Sequence, residues 1–171
     1  SAQTIETIYV DDLTVYAVMF DKIEGQLCND LPYTPEIALK AGRALGKIHH
    51  LTQHNPKLYS RPAWRTWHEN QIAAIPAEQP VILEKWQRMS QYLDGLPKDT
   101  SSYGLVHGDY QQINWFLADD QLVVIDFDDS HYNWLIYDVA RMVYFALWEE
   151  HPGQTNREYA DTILTAFLDG Y

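Results

Sequence analysis

Residues 103–129 lay down three short β-type runs in close succession, YGLVHGD, INWFLA and QLVVIDFDD, with Asp119-Asp120 placed to turn the second into the third. The result is a small sheet, and the sequence on both sides of it is helical. Thr34-Pro35 reads as an N-cap followed by proline at the first helical position. Ile37, Ala41, Ala44, Leu45, Ile48 and Leu51 then recur at helical spacing, which predicts a helix over 35–52. Shorter helices are expected over 63–73 and 80–93, the second closed by Gly95 and Pro97. From Trp134 the helical period returns as a stripe of Leu135, Val139, Met142, Val143, Ala146 and Leu147, and one more helix is expected over 159–168. At the start, IETIYV and LTVYAVMF are separated by Asp11-Asp12 and predict a hairpin, after which FDKIEGQLCND leaves the sheet. This order of elements is α+β.

Composition sets the outer limits. The chain has 171 residues, of which 46% are hydrophobic and 13% aromatic, enough for one packed core. Lys and Arg total 12 against 24 Asp and Glu, and the resulting charge of −12 argues against nucleic acid or anionic membrane as a partner, since both need a cationic surface. Cys28 is the only cysteine, so no internal disulfide can form, and a reducing compartment, the cytoplasm, is the expectation. No apolar run approaches the roughly 20 residues of a membrane span. The opening SAQTIETIYV has neither the basic flank nor the apolar centre of a signal peptide. The joints at 29–34 and 55–62 are short enough to lie within one domain.

The polar residues of the central runs suggest a chemistry. Phosphoryl transfer needs a carboxylate to orient the attacking hydroxyl and accept its proton, and oxygen ligands to hold magnesium against nucleotide phosphates. Asp109 and Asn114 bracket a tight loop between two strands, and Asp126 ends the strand that returns beside them. Singly, each is an ordinary turn or cap residue. Their order and their flanking strands favour a shared site. His50 and His54 lie four apart on the first helix, a spacing compatible with zinc, but without an acid in an HExxH arrangement they read as helix surface. Cys28 reads as a small apolar residue.

HGD, four residues, Asn, and then IDF after a hairpin resembles the signature of the aminoglycoside phosphotransferase and choline kinase superfamily. AGRALGKIHHLT resembles that family's helix before the catalytic loop, YDVARMVY the helix after it, and FDKIEG the hinge between two lobes, so the resemblance runs from Val15 to Tyr171. It implies a protein-kinase-like fold. Residues 1–20 would be a remnant of the small-lobe sheet, 21–30 the hinge, and 31–171 a mainly helical large lobe truncated at its C-terminus. It further implies ATP and Mg2+ as cofactors and a small-molecule acceptor such as an aminoglycoside or amino alcohol, with Asp109 as catalytic base and Asn114 and Asp126 as metal ligands. Asp138 would steady the catalytic loop and His107 would orient it. The backbone of Phe20, Asp21, Lys22, Ile23 and Glu24 would face adenine, and Asp128 and Asp129 would meet the acceptor unless they form a solvated acidic turn.

Three departures stand beside the resemblance. Ile113 precedes the loop asparagine where family members often carry glycine, and Asn133 stands where glycine is frequent. Residues 1–20 contain neither lysine nor glycine, whereas a kinase of this kind has a phosphate-covering loop and a strand lysine paired with a glutamate ahead of the hinge. The chain alone is therefore expected to be inactive, with exposed core as a route to dimerisation. A non-catalytic binding module on the same scaffold is the alternative. A hydrolase using Asp126 and Asp128 as metal ligands would leave the HGD loop unexplained.

Overall fold

The computed structural model describes residues 5–55, 60–76, 78–150 and 157–171. The expected joint at 55–62 lies partly outside these residues, as do the first four of the stretch 1–20.

Helix α1 (Pro35–His54) starts where the cap signal places it, with the Thr34 Oγ1 accepting from the Ile37 N–H at 3.3 Å. Its stripe of Ile37, Ala38, Ala41, Leu45 and His49 is buried. Against it lies α5 (Arg157–Gly170), at a contact that only glycine permits. A Cβ on Gly42 would sit 2.0 Å from the Phe167 carbonyl oxygen, and one on Gly170 would sit 2.1 Å from that of Leu39. The third core helix, α4 (Ile136–Glu150), buries Val139, Met142 and Ala146 of the predicted stripe. Helices α2 (Trp64–Ile72) and α3 (Pro80–Asp94) flank this body within one residue of their expected limits. Among the described residues no helix is long and apolar enough to cross a membrane.

The strands pair less simply than their order suggests. β1 (Ile5–Val10) and β2 (Leu13–Val18) form the predicted hairpin, as do β5 (Trp115–Ala118) and β6 (Gln121–Val124). The segment expected to leave the first hairpin does so and then adds a strand to the second, because β3 (Gln26–Leu27) pairs antiparallel with Leu117 and Phe116 of β5. Gly25 makes that approach possible, since a Cβ there would lie 2.6 Å from the Leu117 carbonyl oxygen. β4 (Tyr103–Val106) pairs not with β5 but with β7 (His131–Trp134), a strand the sequence reading missed. Two small sheets therefore flank the loop between Val106 and Trp115. Tyr110, Trp115, Cys28, Tyr33, Leu45, Met142 and Phe167 close one core behind that loop.

Neither unusual residue forces the backbone. Ile113 lies in a short 3-10 turn over Gln112–Asn114 and Asn133 lies in β7, and neither takes a positive φ. The loop is built without a left-handed residue at 113, so isoleucine fits.

Candidate active site

The loop after β4 is fixed by its backbone before any side chain acts. Gly108 turns it at φ +88°, and a Cβ there would meet the Asp129 carbonyl oxygen at 2.2 Å, so this position requires glycine. Asp138, one turn into α4 and fully buried, takes the amides exposed by the turn. Its Oδ2 accepts from the His107 N–H at 2.7 Å and its Oδ1 from the Gly108 N–H at 2.9 Å. The His49 Nε2 donates to Asp138 Oδ2 at 3.1 Å, and the Tyr171 hydroxyl, just past α5, donates to His49 Nδ1 at 2.7 Å, so α1 is bonded to the carboxylate directly and Tyr171 reaches it through His49. His107 ties the two halves of the site together. Its Nδ1 accepts from the Asp109 N–H at 3.2 Å, and its Nε2 donates to the Ile125 carbonyl at 3.0 Å. Tyr110 and Gln112 pin the far side, donating to the carbonyls of Ala41 and Cys28.

This scaffold brings Asp109, Asn114 and Asp126 together. The Asn114 amide donates at 2.9 Å to both the main-chain oxygen and the Oδ2 of Asp109. The Ile125 N–H donates to the Asn114 carbonyl at 3.0 Å, so Asp126 follows directly on a residue bonded to Asn114. Asp126 is exposed and has φ +61°, one of the few non-glycine residues in the left-handed region. Asp109 has two further partners that the sequence reading did not name: Gln111 Nε2, which donates to its Oδ1 at 2.7 Å, and Arg141 Nη2, which donates to the same oxygen. Burial alone would raise the Asp109 carboxyl's pKa. The Gln111 hydrogen bond, the Arg141 guanidinium and the Asn114 amide outweigh it and hold the pKa below the ordinary value, so the carboxylate stays ionised at neutral pH.

The remaining candidates lie around this centre. Phe20, Asp21, Lys22, Ile23 and Glu24 form an extended stretch between β2 and β3, with Phe20 87% exposed and Lys22 paired to Glu24 on the surface. The stretch leads into β3, which borders the strand that begins just after Asn114. Asp128 is exposed, with its carbonyl held by Arg61 at 2.9 Å. Asp129 bonds through its carbonyl to His131 Nδ1 at 2.8 Å and crosses over Gly108, so it sits closer to the loop. Beyond it, the rings of Trp67, His68 and Tyr137 pack on His131. His50 and His54 stack on the outer face of α1, and His54 is bonded to the His50 carbonyl, as suits helix surface.

Asn114 and Asp126 are the groups able to take a metal ion. No cluster of three or more His, Cys, Asp or Glu side chains fit for a metal occurs among the described residues. An ion such as Mg2+, held by one or two protein oxygens and completed by water and phosphate, would need no such cluster. Asn114 is bonded through its nitrogen, and the Asp126 carboxylate receives a 3.5 Å contact from the Asp128 N–H, so among the described residues oxygens of both lack a further donor.

Comparison with known proteins places this arrangement. Residues 5–171 match the family model described as "Phosphotransferase enzyme family". The amicoumacin kinase of Bacillus subtilis (strain 168) is 28% identical over 160 residues, which cover 90% of this chain and 47% of that protein. Among solved structures, the amicoumacin kinase hAmiN in complex with AMP-PNP, Ca2+ and Ami superposes with a TM-score of 0.79 at 25% identity, covering 99% of this chain and 52% of that one. A microcompartment-associated aminopropanol kinase gives a TM-score of 0.66 at 19% identity, covering 99% and 56%, and so supports the fold alone. The chain thus has the protein-kinase-like phosphotransferase fold and spans about half the length of these relatives. It belongs to the phosphotransferase enzyme family.

Proposed function

We propose that the protein transfers the γ-phosphoryl group of ATP to a hydroxyl or amine of a small molecule, with Asp109 as the base. The observation that carries this reading is the convergence of Asp109, Asn114 and Asp126, joined by the Asn114 amide and the Ile125 N–H. Asn114 and Asp126 would hold Mg2+, which supplies charge neutralisation at the nucleotide phosphates. Asp109 orients the acceptor group and takes its proton as the new bond to the γ-phosphorus forms and the bond to the bridging oxygen breaks, releasing ADP. Asp109 is ionised at neutral pH, so its carboxylate can accept a hydrogen bond from the acceptor group. Phe20, Asp21, Lys22, Ile23 and Glu24 offer backbone groups to adenine, and Asp128 and Asp129 offer charge to a cationic acceptor. A relative named as an amicoumacin kinase supports a small-molecule acceptor. In this reading residues 1–20 belong to the small lobe, 21–30 to the hinge and 31–171 to the large lobe, and a cytoplasmic setting follows from the need for ATP. The 171-residue chain by itself is expected to turn over little, since no lysine precedes Lys22 to reach the phosphates.

The test is ATP-dependent phosphorylation of a panel of amino alcohols, aminoglycosides and amicoumacin by the natural gene product and its Asp109→Asn variant. The substitution should lower kcat by roughly a hundred- to ten-thousandfold. Turnover left within a few-fold would remove Asp109 from the chemistry.

A further inference from the structure

Asp109 is not evenly bonded, and the unevenness distinguishes its two oxygens. A carboxylate offers about two acceptor directions on each oxygen. On Oδ1 both are taken, by Gln111 Nε2 at 2.7 Å and by Arg141 Nη2. On Oδ2 the Asn114 amide at 2.9 Å takes one, and the other has no donor among the described residues. We infer that Gln111 and Arg141 are positioning residues that saturate Oδ1, so that Oδ2 is the atom that meets the acceptor and receives its proton. This rests on the reading of Asp109 as base.

The placement of Arg141 supports the inference. It lies three residues after Asp138 on α4, and residues so spaced share a helix face. Asp138 fixes the loop's backbone at His107 and Gly108, and Arg141, from the next turn of the same face, fixes the loop's side chain. The guanidinium is itself held, with its Cζ 4.9 Å from the centre of the Phe145 ring one turn further on. Gln111 is buried, so its amide is also a confined donor to Asp109. A planar guanidinium seated on the Phe145 ring presents its donor to Asp109 in a fixed direction, whereas the flexible ammonium of a lysine would not.

The experiment uses the natural gene product with the variants Arg141→Ala, Arg141→Lys, Gln111→Ala and Asp109→Asn. Arg141→Ala should lower kcat roughly ten- to a hundredfold, as expected when a reacting group is displaced by about 1 Å, with KM for nucleotide and acceptor changed by less than about twofold. Added guanidinium ion should restore part of that kcat, and Arg141→Lys should recover less than half. Crystal structures of Arg141→Ala and Gln111→Ala should show the Asp109 carboxylate turned from its present rotamer. An unmoved carboxylate, or a loss that falls on KM, would overturn the inference while leaving Asp109 as base. Full turnover by Asp109→Asn would overturn the base itself and this inference with it.

Discussion

The hairpins β1–β2 and β5–β6 are built from the same local instructions and are held in opposite ways. Each joins two β-rich runs through an Asp-Asp pair, with positive φ at Asp11 in the first and at Asp119 and Asp120 in the second, as tight hairpin turns demand. In the first, the side chains of Ile5, Ile8, Val10, Leu13, Val15 and Val18 are all exposed, as is Tyr16. In the second, Trp115 is buried, and Leu117, Leu122 and Val124 pack against the core that also holds Tyr110. Local sequence is thus enough to specify a hairpin. Burial decides whether it contributes stability, and the candidate site is mounted on the buried one.

Four measurements on this chain would break or sharpen that contrast. The largest effect is expected from Asp138→Ala, which removes the acceptor of two buried loop amides and of His49. A loss of about 3–5 kcal/mol in urea unfolding is predicted, and a loss under about 1 kcal/mol would mean the loop is held by its hairpin instead. Next is Gly42→Val, whose added atoms would overlap the Phe167 carbonyl and separate α1 from α5, at about 2–3 kcal/mol. The direct comparison pairs Val124→Ala, expected to cost about 1–2 kcal/mol, with Val15→Ala, expected to stay within about 0.5 kcal/mol. Equal costs would erase the distinction drawn here.

The smallest effect is a pH dependence on the β7 side. Burial, with His131 nearby, pushes the His68 pKa down to about 4, and burial also lowers that of His131. As pH falls below the ordinary value near 6.5, the unfolded chain takes up a proton that folded His68 refuses. Its contribution is therefore complete above pH 6.5 and is lost as pH falls towards 4. Allowing for its partial exposure, stability should drop by about 1 kcal/mol between pH 7 and 5, and His68→Phe should flatten that slope. A slope unchanged in the variant would place the titrating group elsewhere.

The parts of this structure that were legible in the sequence are those written locally. Thr34-Pro35 marked the start of α1, Asp119-Asp120 marked a turn, and the order of Asp109, Asn114 and Asp126 marked a loop and a returning strand. β7 escaped because HYNW is only four residues long and its Trp134 reads as the start of the following helical stripe. Its buried His131 and Asn133 hydrogen-bond each other, so they are polar in sequence and satisfied in the fold. β3 escaped because two residues are too few for any period to show. Arg141 escaped because it is 32 residues from Asp109 and its meaning lies in their contact, not in either segment. Its one legible signal was its spacing from Asp138 on a helix already suspected of facing the loop.

The left-handed backbone at Asp126 also limits what this position can become by mutation. Its φ of +61° is comfortable for glycine and tolerable for asparagine and aspartate, and costly for glutamate or any branched side chain. Aspartate codons reach asparagine and glycine by single-base changes, so loss of the charge is one step away and leaves the chain path undisturbed. A longer carboxylate, by contrast, would have to bend the backbone to settle there. An Asn or Gly at 126 would therefore remove the negative charge and leave the fold intact.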